Sequence, residues 1–178
     1  MAQSKPDLQW DESRPAAECA RMVLPKLAAD FFRDGRETVA GSPSAEDLHR
    51  LRLAVKRFRY TLELFRPCYG SGLEERLEAL KRMQDHLGAM NDCGTSIALV
   101  QGSLPEAADS EEFVQFLSAH GEVEKESFLR HWRETFDSSG QEEWWVGYLS
   151  RPESLGSGRA LDQSDAKAES VLRKTASG

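Results

Sequence analysis

The sequence is poor in every signal of β-structure. It has no run of alternating β-branched residues and no Asn-Gly turn between apolar runs. Local catalytic signatures are missing too: there is no GxSxG, no Walker-type Gly-rich loop, no HExxH and no CxxC. Three cysteines, Cys19, Cys68 and Cys93, show no paired spacing, which is the usage of a reduced, intracellular chain. No apolar run approaches the roughly 20 residues of a membrane helix. The first residues, MAQSKPDLQW, lack the apolar core of a secretory signal. Positive charge is also short, with 23 Lys and Arg against 30 Asp and Glu, a net −7. These absences predict a soluble, cytoplasmic chain with no membrane partner, no specific nucleic-acid binding, no cofactor and no metal.

What is present reads as helix. At 178 residues the chain is about one domain, with 39% hydrophobic and 30% charged residues. That suits an all-α fold, an antiparallel four-helix bundle of long amphipathic helices spanning residues 13–149. Residues 1–12 read as a flexible lead-in and 150–178, rich in Ser, Gly, Asp, Lys and Ala, as a disordered tail. Ser13 caps a first helix with Pro15 in its first turn, and Pro25 should kink or interrupt that helix. Ser44 and Asp47 have capping-box spacing ahead of residues 48–66. After a Tyr69–Gly72 corner, a helix begins near Leu73, and residues 91–94 should kink or break it before it resumes to Gly102. The next helix starts at Ser103 or at Ser110. Its apolar residues Phe113, Phe116, Leu117, His120, Val123, Phe128, Trp132 and Phe136 run to about Asp137. Trp144, Trp145, Tyr148 and Leu149 are aromatic enough to plug the end of the bundle.

Residues 48–66 stand apart. Leu48, Leu51, Val55, Phe58, Leu62 and Phe65 alternate at spacings of three and four, the stripe of a helix seated on other helices. His49, Arg52, Lys56 and Arg59 share a neighbouring face and span about 15 Å at 1.5 Å per residue. The segment holds six Arg and Lys against one acid, Glu63, so the remainder of the chain carries −12. Exposed cations three or four apart repel by a few tenths of a kcal/mol. The row therefore reads either as a surface for a polymeric anion or as a face neutralised by acids of other helices. Arg supplies forked donors for phosphate oxygens, Lys a point charge, and His49 a donor that gains charge beside a polyanion. Lys81, on the next helix, can face the same groove. Lys81, Asp85, Gly88 and Asp92 share one face, and Gly88 costs about 1 kcal/mol of helix propensity relative to Ala. A small residue there permits close approach of a helix or a ligand. His86, His120 and His131 lack metal-ligand spacing, and Asp85 with Asp92 reads more readily as salt-bridge partners than as a catalytic pair.

The stretch from His49 to Tyr60, HRLRLAVKRFRY, resembles the signature of the CHAD family (conserved histidine α-helical domain): His, Arg three on, a basic pair, then Arg. Here those positions are His49, Arg52, Lys56, Arg57 and Arg59. LKRMQDHLGAMND, residues 80–92, is similar to that family's second signature. The resemblance implies a non-catalytic helical module that binds inorganic polyphosphate in the cytoplasm, in association with polyphosphate granules. It implies a binding set of His49, Arg52, Lys56, Arg57 and Arg59, with Lys81. The helical wheel places Arg57 apart from the others, where an acid of residues 74–78 can pair with it. Family members usually carry two such bundles in tandem. This sequence has one, similar to the second half, so either two chains associate as a homodimer or a single groove binds more weakly. A protein–protein adaptor, and a phosphate-processing hydrolase using Asp85 or Asp92, are the competing readings.

Overall fold

The computed structural model of the chain describes residues 13–103 and 110–151. Among these residues there are five α-helices and no strand: α1 (Ala16–Val39), α2 (Ala45–Leu64), α3 (Gly72–Ser103), α4 (Ser110–Thr135) and α5 (Gln141–Leu149). The all-α reading holds. The calls on residues 1–12, 104–109 and 152–178 lie outside the described residues. No helix is long and apolar enough to cross a membrane, among the residues described.

The start of α2 follows the sequence signal. Ser44 Oγ accepts from the Asp47 backbone N–H at 3.2 Å, and the Ser44 N–H donates to Asp47 Oδ2 at 3.0 Å. Pro67 stops the helix by restricting the residue before it, so α2 ends at Leu64 and a short 3-10 turn, Arg66–Cys68, follows. In α1 the N-cap is Pro15 rather than Ser13, with no side-chain cap. α4 begins at Ser110 and ends at Thr135, two residues short of Asp137.

Neither α1 nor α3 is broken where a kink or break was expected. α1 runs through Pro25 without a break. An interior proline costs about 3 kcal/mol. Burial of Ala20, Leu24, Leu27, Ala28, Phe31 and Phe32 along the same helix outweighs that. α3 is likewise continuous through residues 91–94. Asn breaks helices by bonding the local backbone, but the Asn91 amide is drawn to His49, 42 residues away. Cys93 is buried beside α4, where a Cβ on Gly121 would lie 3.7 Å from the Cys93 Cβ.

α1 to α4 pack antiparallel around an aromatic core. Phe31 stacks on Phe58 at 5.3 Å between ring centroids and meets Trp132 and Phe136 edge-on. α5 closes one end: Trp145 touches Phe32, Phe58 and Phe136, and the Tyr69 hydroxyl donates to the Leu149 carbonyl at 2.7 Å. Trp145 and Leu149 plug the bundle as expected, whereas Trp144 is half-exposed. The Trp144 indole instead covers Arg76, a residue the periodicity did not single out. Arg76 is 2% exposed, its guanidinium carbon 3.4 Å from the Trp144 ring centre and 3.7 Å from that of Tyr148. It donates to the Gly72 carbonyl at 2.9 Å, and burial pulls its pKa down to about 10.

Gly35 is the close-approach glycine. A Cβ there would sit 1.9 Å from an edge carbon of Trp132, whose ring is fully buried. Gly35→Ala is therefore expected to lower stability by about 1–3 kcal/mol, the usual cost of overpacking, read as a lower urea midpoint at unchanged slope. A second expectation concerns acid. The Ser44 hydrogen bonds hold Asp47 below the usual carboxylate range, and Arg66 does the same for Glu74. Below about pH 4 the unfolded chain binds these protons first. The stability from both acids is thus present at neutral pH and lost as pH falls through their lowered values. The unfolding midpoint of Asp47→Asn should show a shallower acid-side decline than that of the parent.

Candidate anion-binding groove

Burial of Leu51, Val55, Phe58 and Leu62 fixes the rotation of α2 about its axis. The next face, bearing His49, Arg52, Lys56 and Arg59, then lies along the seam with α3. Two cross-helix bonds define that seam. His49 Nδ1 lies 3.0 Å from Asn91 Oδ1, and Arg59 Nε donates to Gln84 Oε1 at 2.9 Å. The register is antiparallel, and Gln84, Gly88 and Asn91, spaced four and three, present one face of α3 to the row.

The members of the row differ in how far they are engaged. Arg59 is held: beyond Gln84, it pairs with Glu63, and its guanidinium carbon sits 4.7 Å from the Tyr60 ring centre. His49 is oriented by Asn91, which leaves Nε2 for an incoming group. Arg52 is half-buried, and its Nε is buried with no hydrogen-bond partner among the described residues. Lys56 is exposed, with Nζ 5.7 Å from the Tyr60 ring centre. Lys81 is exposed on α3. Among the described residues no carboxylate lies within ion-pair distance of Arg52, Lys56, Arg57 or Lys81.

Arg57 is exposed and turned away from the seam, as the wheel indicated. Its expected pairing with an acid of residues 74–78 does not form. Glu74 binds Arg66 and Glu78 binds Arg82, each nearer along the surface than Arg57. The acids elsewhere are used in the same way: Asp30 and Asp34 hold Arg33, and Glu142 holds Arg36 at 2.7 Å. These carboxylates thus pair with cations outside the seam.

The space beside the row is open. A Cβ on Gly88 would meet nothing within 4 Å, so close helix packing is not what Gly88 serves. Gln84 and Asn91 belong to the site and were not singled out from the sequence; their spacing around Gly88 was the available signal. Of the histidines outside the row, two serve structure: His86 Nδ1 lies 2.7 Å from a Glu124 oxygen, and His131 Nε2 donates to the Ala79 carbonyl. Among the described residues no group of three or more His, Cys, Asp and Glu is placed to hold a metal ion.

Comparison with known proteins agrees with the motif. The CHAD domain family model matches residues 2–101, more than half of the chain, and the chain belongs to the CHAD family. The match takes in α1, α2 and nearly all of α3. No curated protein and no solved structure matches the chain.

Since Gly88 has no packing duty, Gly88→Ala is expected to raise stability by up to about 1 kcal/mol through helix propensity alone. Chemical denaturation of the two proteins checks this.

Proposed function

We propose that the chain is a non-catalytic binder of inorganic polyphosphate, seated along the α2–α3 seam. The observation that carries this reading is Arg52: a guanidinium with a buried, unpartnered Nε, flanked by an unpaired Lys56 and facing an open Gly88. A buried donor left without a partner costs free energy. A phosphate oxygen supplies that partner once the Arg52 side chain turns its Nε out of the buried position. Lys56 and Lys81 then take neighbouring phosphates, while His49 donates to a further position. Arg59 shapes the groove more than it charges it, because Glu63 already balances it. Arg57 stands outside the binding set. A cytoplasmic pool of polyphosphate, including granules, is the ligand source this reading implies.

Reversing Arg52 and Lys56 together, Arg52→Glu with Lys56→Glu, should abolish retention on a polyphosphate matrix while far-ultraviolet circular dichroism stays unchanged. For the parent protein, log affinity should fall against log salt with a slope of about −2, as three phosphate contacts on a single-strand polyanion give. Affinity should rise with phosphate chain length and be weak for DNA. Retention that survives the double reversal contradicts the reading. So does steady phosphate release from polyphosphate that disappears in Asp85→Asn, which would make the protein a hydrolase.

A further inference from the structure

The sequence stripe on α4 is only half used by the core. In that helix Phe128 and Trp132 alone are buried. Phe113, Phe116, His120 and Val123, spaced three, four and three, form a second stripe on the N-terminal half, set off from Phe128 by a step of five, and all four are exposed, Phe116 to 64%. The helix register explains this. α2 starts at Ala45 and meets α3 near Asn91, whereas α3 runs on to Ser103 and α4 begins at Ser110. Residues 96–103 and 110–120 therefore extend as a two-helix arm past the start of α2, with Leu99 also 66% exposed. Contiguous exposed apolar stripes on a soluble chain mark interaction surfaces. The arm carries Glu111 and Glu112 and no Arg or Lys, and it sits in a longer acidic stretch. From residue 83 to residue 124 there is no Arg or Lys, against eight Asp and Glu.

The complement lies on the same chain. The outward face of α2, opposite its core stripe, carries Arg50, Leu53, Arg57, Tyr60 and Leu64 at spacings of three, four, three and four. Leu53, Tyr60 and Leu64 are exposed, Leu64 to 68%, and Arg57 has no carboxylate partner among the described residues. Apolar residues alternating with cations on one surface match apolar residues flanked by acids on the other. The two stripes are about 21 Å and 15 Å long at 1.5 Å per residue, so one can lie along the other.

We propose that the outer face of α2 seats the arm of a second copy of this chain, the two copies exchanging arms about a two-fold axis. Phe113, Phe116 and Val123 of one copy pack on Leu53, Tyr60 and Leu64 of the other, and Glu112 meets Arg57. Because each chain carries both surfaces, the contact is made twice and closes. Arg57 thereby gains a role distinct from the groove.

Light scattering on the full chain at tens of micromolar should give twice the 20.0 kDa of one chain. Arg57→Glu and Phe116→Asp should each weaken the dimer at least tenfold, with helical circular dichroism unchanged because both side chains are exposed. Combining Arg57→Glu with Glu112→Arg should restore it. A parent protein that stays at one-chain mass overturns the proposal, as does a dimer that neither variant weakens. Mass that keeps growing with concentration overturns the closed exchange. Polyphosphate retention of Phe116→Asp, whose residue lies outside the groove, separates this outcome from that of the binding reading.

Discussion

Leu51, Val55, Phe58 and Leu62 bury one stripe of α2, and that burial sets where every other side chain of the helix points. With the stripe fixed against the aromatic core, the face carrying His49, Arg52, Lys56 and Arg59 can lie only along α3. The bonds from His49 to Asn91 and from Arg59 to Gln84 then hold the two helices in antiparallel register. Rotating α2 by one residue would scatter the row and bury a cation. The site is thus a consequence of core packing, and the polar seam bonds only refine it.

Charge placement does the second part of the work. A chain of net −7 has acids enough to neutralise every cation on α2. Instead Asp47, Glu74, Glu78, Asp30, Asp34 and Glu142 are bonded to Arg50, Arg66, Arg82, Arg33 and Arg36, mostly on the outer surface. Exposed pairs of this kind contribute little to stability. Their effect here is spatial: they occupy carboxylates away from the seam, and of the row's cations Arg59 alone is paired with an acid, Glu63, among the described residues. Arg52, Lys56 and Lys81 are left without a carboxylate partner among the described residues.

Much of this was legible in the sequence, and the failures have physical causes. The capping box at Ser44 and the three-four spacing of α2 are local signals, and local signals survive folding. Pro25 and residues 91–94 do not break their helices, because local propensity is weak beside the burial of whole helices. The engagement of Arg59 by Gln84 joins residues 25 apart, and no periodicity encodes it. Arg76 is invisible for the same reason: its partners Trp144 and Tyr148 arrive from α5, at the far end of the chain. The α4 stripe was correct as a pattern, but periodicity shows that a face is apolar without showing what covers it.

α2 accordingly presents three faces with three duties: a buried stripe, a cationic row and an outer stripe where Arg57 sits. The most direct test of the row is the nuclear magnetic resonance signal of the arginine side-chain Hε protons during titration with short polyphosphate. The Arg52 Hε, buried without a partner in the free protein, should shift strongly downfield as it acquires a phosphate oxygen, while that of Arg57 stays in place. An Arg52 signal that does not move at saturating polyphosphate, or one that moves no more than that of Arg57, would contradict the account.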